Sequence, residues 1–393
     1  MNKITKVLIG AVLIGACVYT YNIVGSKSEK VPSNVEVSQK DFLETLHERV
    51  AIIKKHKDKL KDTIVIVEGP DGYKEIVSGE GITEQSQFFI GSISKQFTAV
   101  LMLKALSEKN KGNLGEIKTD LHKPLSELLK DTDLLKKLKN VPEQFKNKKQ
   151  ENWLDQVTLH DLLCHTSGLK TFYKSEKNFI KNFGIEQFWD SSVKIDHIEL
   201  IKSIELKQQN DVKKYEYSNT NYIFVAKIIE QLTNKDFIKY LDEKILTPLK
   251  LKNTLLPKNG NFKEVKDNIN LPNLILNTYD PLVADVSLHF SAGAMISTIE
   301  DLMIWEKALH SGKILNKDLY ELMICKHANI DENSNYGYGI FLRSSDNLGK
   351  SIAHPGNLFY YQSLEEYFPE TQTYVISLSA NLIVGEMIKD TLS

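Results

Sequence analysis

Apolar residues along this chain follow two different periods, and the change between them predicts where strands and helices lie. Thr63–Glu68 and residues 73–78 are short β-branched runs that flank a Gly-Pro-Asp-Gly turn, which predicts a hairpin. Strands are predicted again near the other end, over residues 336–343, 351–353, 362–367 and 373–379. Because the early and late strands have to meet in one antiparallel sheet, the residues between them are predicted to form an inserted, mostly helical lobe.

The predicted fold class is therefore α/β in the broad sense, or α+β, with an antiparallel sheet flanked by helices. The folded domain is predicted over residues 41–393. Its sheet lobe takes about residues 41–106 and 286–393, and the inserted helical lobe takes about residues 107–285. We expect a cleft between the two lobes.

Residues 92–106 (SISKQFTAVLMLKAL) are apolar on almost every face, which indicates a helix buried at the centre of the domain. Gly91 permits a tight entry. Ser92 falls at the predicted helix N-terminus, where unpaired N–H groups favour developing negative charge. Lys95 lies three residues on and projects from nearly the same face. Desolvation makes its ammonium easier to deprotonate, so Lys95 is predicted to be the base that activates Ser92 as a nucleophile.

The Ser-x-x-Lys pattern is weak evidence on its own, because it also occurs at residues 167–170 and 191–194. Neither of those serines has an apolar helix behind it, which favours Ser92. The structural alternative for Ser92 is a helix cap followed by a surface lysine.

A second motif is Tyr217-Ser218-Asn219, which precedes a helix predicted over residues 221–232. At such a helix entrance, side chains can point into a cleft. Tyr217 is predicted to relay a proton between nucleophile and leaving group, and Asn219 to hold a substrate amide. An ordinary Asx-type turn with a packed tyrosine is the alternative.

The third motif is His354-Pro355-Gly356, with a strand-like stretch before it and a predicted turn after it. We expect this segment at a sheet edge facing the cleft. His354 and Gly356 are then substrate-binding candidates, and the N–H of Asn357 is a candidate oxyanion donor beside that of Ser92. Another His-x-Gly, at residues 310–312, ends a helix predicted over 299–309 from a Ser297-x-x-Glu300 capping box, so that match is structural.

Together the three motifs resemble those of the serine β-lactamase and penicillin-binding family, of the class C and D-Ala-D-Ala carboxypeptidase type. Further segments match sequence patterns that are typical of that family: residues 162–169 (LLCHTSGL), 291–298 (SAGAMIST) and 336–339 (YGYG). The resemblance runs from about residue 42 to 382 and implies the β-lactamase/transpeptidase-like fold. It implies Ser92 as nucleophile, Lys95 as base, and Tyr217 with Asn219 as the second motif. His354 stands where many members carry lysine, as in the esterase and peptidase branches.

The chain departs from the family pattern in three places. Phe359, Tyr360 and Tyr361 follow the third motif where relatives usually have another glycine, so they either narrow the cleft or build an aromatic pocket. Residues 132–153 are lysine-rich and suggest a surface insertion. Only residues 384–393 remain for the terminal helix that usually covers the sheet.

Composition and motif content argue against several classes of function. With 50 basic and 51 acidic residues, nothing points to a nucleic-acid partner. We find neither a glycine-rich phosphate loop nor a metal-ligand spacing, so no cofactor and no metal are predicted; His160 and His165 are expected to cap and pack. Cys164 and Cys325 either pair or stay reduced.

The first residues read as a targeting segment. Lys3 and Lys6 precede an uncharged run from residue 7 to 25, so residues 1–25 are predicted to be a signal anchor or, with Cys17 in a lipobox-like context, a lipoprotein signal. Residues 26–40 form a polar linker. The protein is predicted to be membrane-anchored, with its catalytic domain periplasmic or extracellular.

The predicted function is a membrane-anchored serine hydrolase that forms an acyl-enzyme on Ser92. Its substrates are predicted to be peptides, amides or esters, which makes it a D-Ala peptidase, an esterase or a weak β-lactamase, with peptidoglycan stem peptides as a candidate. The alternative is a catalytically weak penicillin-binding-like module that binds cell-wall peptides or a protein partner, and the aromatic residues 359–361 are its main support.

Overall fold

The protein is described here from a computed structural model, which covers residues 39–56, 60–140, 153–172, 196–203, 213–259, 265–267, 273–275, 286–345 and 348–381. The predicted leader, nearly all of the linker and residues 384–393 lie outside the described residues, as does most of the predicted insertion. Across the described ranges, no helix is long and apolar enough to cross a membrane.

The strands of the described chain form a large antiparallel sheet in the order β2-β1-β10-β9-β8-β7-β6-β5 and a small sheet of β3 and β4. Their bounds are β1 Thr63–Glu68, β2 Lys74–Ser78, β3 Gln87–Phe89, β4 Ile296–Thr298, β5 Ala328–Asn329, β6 Ser334–Tyr336, β7 Phe341–Ser345, β8 Gly349–Leu358, β9 Tyr361–Phe368 and β10 Thr373–Ser379.

Helices cover both faces of the large sheet. Those described are α1 Gln39–Lys55, α2 Ser94–Lys109, α3 Leu114–His122, α4 Leu125–Leu128, α5 Asp133–Lys139, α6 Trp153–Gln156, α7 Leu159–Leu163, α8 His197–Ser203, α9 Asn219–Thr233, α10 Phe237–Leu241, α11 Thr247–Leu249, α12 Phe290–Gly293, α13 Ile299–His310 and α14 Lys317–Met323. A π-helical turn, Asp242–Leu246, joins α10 to α11.

The early and late strands of the described chain meet in the large sheet, as predicted. β1 pairs with β10 along its whole length, from Thr63 opposite Ser379 to Glu68 opposite Tyr374. β1 also pairs with β2, which confirms the predicted hairpin. The α+β fold class is therefore confirmed, although the small β3–β4 sheet was missed because three-residue strands are too short to show a period.

Two predictions about the late strands are wrong. The predicted strand over residues 336–343 is interrupted between β6 and β7, where Gly339 adopts φ +73° and a Cβ there would lie 2.8 Å from the carbonyl oxygen of Lys95. The chain leaves the sheet at that point to pack against α2. The predicted turn after His354 is also absent, because β8 continues through Pro355 and Gly356 to Leu358.

The predicted edge position of the third motif is partly right. β8 is an inner strand, yet its pairing with β7 ends at Ala353, while its pairing with β9 continues to Leu358. From His354 onward β8 therefore has a strand partner on one side only. Pro355, which lacks a backbone N–H, is tolerated in this half of the strand.

The core is split by the large sheet. On one face Phe42, Leu46 and Val50 of α1 pack against Val65 and other apolar residues of the strands. On the opposite face lies the larger core, which surrounds α2. Every residue of α2 from Ser94 to Leu106 is buried except Lys104, so the prediction of a helix buried on all faces is confirmed.

Local predictions in the helical parts need two corrections. α13 is capped by Thr298, whose hydroxyl accepts from the N–H of Asp301, so the predicted cap at Ser297 is one residue too early. Cys164 is buried, Cys325 is exposed and both are free thiols, so the disulfide alternative is wrong.

Candidate active site

Ser92 lies in a tight turn that leads into the central helix. Residues Gly91–Ile93 form a 3-10 turn, and α2 begins directly afterwards at Ser94. Gly91 has φ +51°, a conformation that residues with a side chain rarely adopt. The Ser92 side chain is half-buried, and it borders the unpaired N–H groups of the helix start.

Lys95 is buried, with an exposed fraction of zero, one turn into the same helix. Its Nζ lies 2.8 Å from Ser92 Oγ and donates to Asn219 Oδ1 at 2.7 Å and to the carbonyl oxygen of Ala292 at 2.6 Å. Burial lowers the pKa of this amine well below its usual value. Burial therefore favours the neutral form of Lys95 more than it is favoured in an exposed lysine.

The neutral form of Lys95 can use its neighbours in a way that leaves its lone pair for Ser92. A neutral amine has two N–H donors and one lone pair. The carbonyl oxygens of Asn219 and Ala292 are acceptors and occupy the two donors. The lone pair is then left for the one neighbour with a hydrogen to give, the hydroxyl of Ser92. This arrangement orients the lone pair of Lys95 toward the proton of Ser92.

The second motif contributes to the same cluster. Ser218 is the N-cap residue of α9, and Asn219 is the first residue of the helix, two positions earlier than predicted. The side-chain oxygen of Asn219 faces Lys95, whereas the sequence suggested that it faces a substrate amide. The Tyr217 ring is 9% exposed and its centroid lies 4.8 Å from Lys95 Nζ, within the range of a cation–π contact when the amine is protonated.

His354 lies behind this cluster and is only 1% exposed. Its Nδ1 is 2.7 Å from the carbonyl oxygen of Pro355, which can only accept, so Nδ1 carries the hydrogen. Its Nε2 then accepts from the hydroxyl of Tyr336 at 3.0 Å. Both ring nitrogens of His354 have protein partners, and the Tyr217 ring centroid is 6.3 Å from that of His354.

The backbone of Gly356 and Asn357 lies against the turn that carries Ser92. A Cβ on Gly356 would lie 2.1 Å from the carbonyl oxygen of Ile90, and a Cβ on Gly91 would lie 2.5 Å from the backbone nitrogen of Asn357. Ser363 of β9 donates to the same Ile90 oxygen at 2.8 Å. Such close backbone contact explains the two glycines, and it brings the Asn357 nitrogen next to the Gly91–Ser92 peptide.

The aromatic residues after β8 lie in and beside a two-residue turn. Leu358 pairs with Tyr361, so Phe359 and Tyr360 make the turn. Tyr361 is buried, donates to the carbonyl oxygen of Ile275 at 2.8 Å and packs edge-on against Phe89. Tyr361 is thus a core residue.

Phe359 contacts a histidine that sequence reasoning missed. Its ring centroid is 5.8 Å from that of His289, which also packs against Phe172. Burial, with Lys95 nearby, lowers the pKa of His289 to about 3, so this ring is neutral. His289 immediately precedes α12, whose Ala292 accepts from Lys95. The 291–298 segment was noticed in the sequence, but nothing there indicated a partner for Lys95.

Comparison with known proteins shows the family to which the chain belongs. The family model described as Beta-lactamase matches residues 46–383, which is most of the chain. The chain belongs to the Beta-lactamase family. This membership confirms the resemblance drawn from the motifs.

Among curated members similar in sequence is the teichoic acid D-alanine hydrolase of Staphylococcus aureus (strain NCTC 8325 / PS 47). It is 28% identical over 317 residues, which cover 78% of this chain and 66% of the relative. The teichoic acid D-alanine hydrolase of Staphylococcus aureus strain COL matches to the same extent. The chain thus spans about two thirds of the length of these curated relatives.

Solved structures of the family share the fold at lower identity. The D-stereospecific amidohydrolase from Streptomyces sp. has a TM-score of 0.62 and 21% identity, covering 88% of this chain and 94% of that one. The penicillin binding protein from Bacillus halodurans has a TM-score of 0.61 and 18% identity, over 88% and 100% of the two chains. The D-amino acid amidase from Ochrobactrum anthropi SV3 has a TM-score of 0.61 and 19% identity, over 89% and 97%.

Proposed function

We propose that this Beta-lactamase family member is a serine hydrolase that forms an acyl-enzyme on Ser92 and cleaves D-alanyl esters or D-amino acid amides. One observation carries the proposal: a buried amine with a lowered pKa, its two N–H groups occupied, lies 2.8 Å from the hydroxyl of Ser92. An activated serine of this kind is what acyl transfer requires.

In the proposed acylation step, the Ser92 Oγ–H proton passes to Lys95 Nζ as Oγ attacks the substrate carbonyl carbon. The carbonyl oxygen becomes an oxyanion, for which the backbone N–H groups of Ser92 and Asn357 are the candidate donors. The close approach of β8 to the Gly91 turn supports this choice of oxyanion donors. The proton then returns from Lys95 to the leaving oxygen or nitrogen as its bond to the acyl carbon breaks, which leaves an ester on Ser92.

Deacylation uses the same groups in reverse. A water molecule loses its proton to Lys95, directly or through the hydroxyl of Tyr217, as it attacks the acyl carbon, and Ser92 recovers that proton as the acid departs. The support for Tyr217 in this relay is the position of its ring, whose centroid lies 4.8 Å from Lys95 Nζ. His354 supports the wall of the site through Tyr336 rather than as a free cation.

The D-alanyl or D-aminoacyl substrate class rests on the similar proteins. The curated relatives are named as teichoic acid D-alanine hydrolases, and two structural neighbours as a D-stereospecific amidohydrolase and a D-amino acid amidase. Peptidoglycan stem peptides, which also end in D-alanine, stay a second candidate substrate. β-Lactam turnover is proposed to be weak, because the site carries His354, with both ring nitrogens engaged, where many family members have a lysine to anchor the drug carboxylate.

We also propose that residues 1–25 attach the protein to a membrane, with the hydrolase domain outside the cytoplasm. The support is the pattern of the segment: Lys3 and Lys6 followed by an uncharged run to residue 25, with Cys17 inside it. A surface-anchored enzyme would have access to D-alanylated polymers of the cell envelope.

Paired substrates test the proposed specificity. The purified chain is assayed with a D-alanyl ester, the matching L-alanyl ester, a D-alanyl-D-alanine peptide and nitrocefin. We expect kcat/KM to be highest for the D-alanyl ester and lowest for nitrocefin, with all activity lost in Ser92→Ala. Fast nitrocefin turnover without ester or peptide cleavage would overturn the proposed substrate class while leaving Ser92 as nucleophile.

A further inference from the structure

His165 accepts hydrogen bonds from the backbone on both sides of Tyr217. It follows α7 in a left-handed conformation, with φ +61°. Its carbonyl oxygen accepts from the N–H of Glu216 at 2.8 Å, and its ring Nδ1 accepts from the N–H of Ser218 at 3.2 Å. One residue, more than fifty positions away in sequence, thus fixes the peptide groups on either side of Tyr217.

The ring of His165 is itself fixed. Its Nδ1 also accepts from the side-chain amide of Asn221 at 3.1 Å, and the other end of that amide accepts from Ser167 Oγ at 2.6 Å. The ring packs against Tyr217 and Tyr336, with centroid distances of 4.3 and 4.9 Å. The Tyr217 ring is therefore close both to the imidazole of His165 and to the amine of Lys95, whose Nζ is 4.8 Å from its centroid.

The contacts of His165 require a neutral ring. A nitrogen that accepts from Ser218 and Asn221 cannot carry a hydrogen, so the hydrogen is on Nε2. Nε2 is buried and has no hydrogen-bond partner among the described residues. Burial, with Lys95 and His354 nearby, lowers the pKa of His165 well below its usual value. His165 accordingly stays an acceptor throughout the neutral range and does not take part in proton transfer.

We propose that His165 is a positioning residue for the hydrolase reaction, which holds Tyr217 at the distance from Lys95 that proton relay needs. The inference rests on the proposed function of Ser92 and Lys95. Misplacement of a reacting group by about 1 Å can cost about 100-fold in rate. Loss of the acceptor at residue 165 should therefore lower the rate of acylation, with little change in substrate binding.

Two variants at this position separate the acceptor from the backbone conformation. Glycine and asparagine both tolerate the left-handed φ of residue 165. In His165→Asn, the side-chain oxygen can replace Nδ1 as acceptor, whereas His165→Gly has no acceptor. Both variants of the full chain are first checked by thermal unfolding, and acylation of Ser92 by a fluorophosphonate and kcat and KM on the D-alanyl ester are then measured.

We expect His165→Gly to lower the acylation rate and kcat about 10- to 100-fold with KM nearly unchanged, and His165→Asn to recover most of the loss. The pH profile of His165→Asn should match that of the wild type, because His165 does not titrate in the reaction. Equal rates in His165→Gly and wild type, with both folded, would overturn the proposal. So would loss of one limb of the pH profile in His165→Asn, since His165 would then be a proton carrier.

Amide hydrogen exchange distinguishes this proposal from the proposed function. The N–H of Ser218 should be protected in wild type and His165→Asn and exchange faster in His165→Gly. If the wild type fails to react with the fluorophosphonate, the proposed function is wrong, whereas the exchange comparison still decides whether His165 holds the Tyr217 segment. Unchanged protection of the Ser218 N–H in His165→Gly would directly contradict the proposal that His165 holds the Tyr217 segment.

Discussion

At the scale of single residues, the protonation state of Lys95 controls the proposed chemistry. Lys95 is fully buried, and burial is the cause of its lowered pKa. Only the neutral amine can accept the proton of Ser92, so the active fraction rises as the pH rises through this lowered pKa. The direction of this pH dependence follows from the charge of the amine. At low pH Lys95 is protonated, its lone pair is occupied and acylation stops.

The pH dependence of acylation follows from this. The rate of Ser92 acylation is expected to have an acidic limb whose pKa lies below the usual lysine value of about 10.4, and a plateau at higher pH. Lys95→Ala should lower the plateau about 10²- to 10⁴-fold, the usual contribution of a general base, and should remove that limb. Stopped-flow labelling across the pH range measures both. An acidic limb that survives unchanged in Lys95→Ala would assign the titration to another group.

Single residues differ in how far the sequence predicts them. Ser92, Lys95 and Asn219 belong to short motifs. In the structure, Ser92 Oγ and Asn219 Oδ1 both lie within hydrogen-bond distance of Lys95 Nζ. His165 and Ala292 contribute through a ring nitrogen and a main-chain oxygen. Their partners are more than fifty and nearly two hundred positions away, and no local pattern reports such contacts.

At the scale of elements, the site depends on close packing of β8 against the turn before α2. A Cβ on Gly356 would lie 2.1 Å from both the Ile90 carbonyl oxygen and Ser363 Oγ. Gly356→Ala is therefore expected to push β8 away, with a loss of about 1–3 kcal/mol in unfolding free energy and a large loss of activity. Denaturant unfolding and ester hydrolysis measure the two effects.

The control for this substitution is Gly115→Ala in the first turn of α3. Its Cβ would approach only the side-chain oxygen of Asn113, at 3.3 Å. Alanine is the better helix former, so this variant should keep its activity and its stability or gain a little. Similar activity losses in Gly115→Ala and Gly356→Ala would show that the effect is unrelated to β8.

The turn between β8 and β9 stores backbone strain at Phe359, which has φ +52° although it carries a large side chain. Phe359→Gly and Phe359→Ala remove the same ring contact with His289, but only glycine adopts a positive φ without penalty. We expect Phe359→Gly to be the more stable of the two by about 1 kcal/mol. Thermal unfolding compares them, and a more stable alanine variant would show that the turn is unstrained.

Elements with a clear period were predicted well and interrupted ones were not. β1 and β10 have the predicted bounds, because both are continuous apolar strands. The predicted strand ends earlier than β8 does, because Pro355 and Gly356 normally mark a turn. Here the missing N–H of proline is tolerated in the half of β8 that pairs with β9 alone, and glycine is required by the approach of Ile90.

At the scale of the whole molecule, the first 25 residues are expected to determine where the enzyme acts. Deletion of residues 1–25 should release the protein from membranes. Cys17→Ala should separate two modes of attachment: membrane association that persists indicates a spanning helix, and association that is lost indicates lipidation. Fractionation measures this, and protease protection of the domain in intact spheroplasts would contradict the proposed topology.

The measurement that bears most directly on the whole account is the intact mass of the protein after reaction with a fluorophosphonate or a penicillin. The buried Lys95 beside Ser92, with its lowered pKa, predicts a single covalent adduct on the wild type, no adduct on Ser92→Ala, and strongly slowed labelling of Lys95→Ala. Peptide mapping should place the adduct on Ser92. A wild-type chain that stays unlabelled, or labelling that survives in Ser92→Ala, would contradict the account.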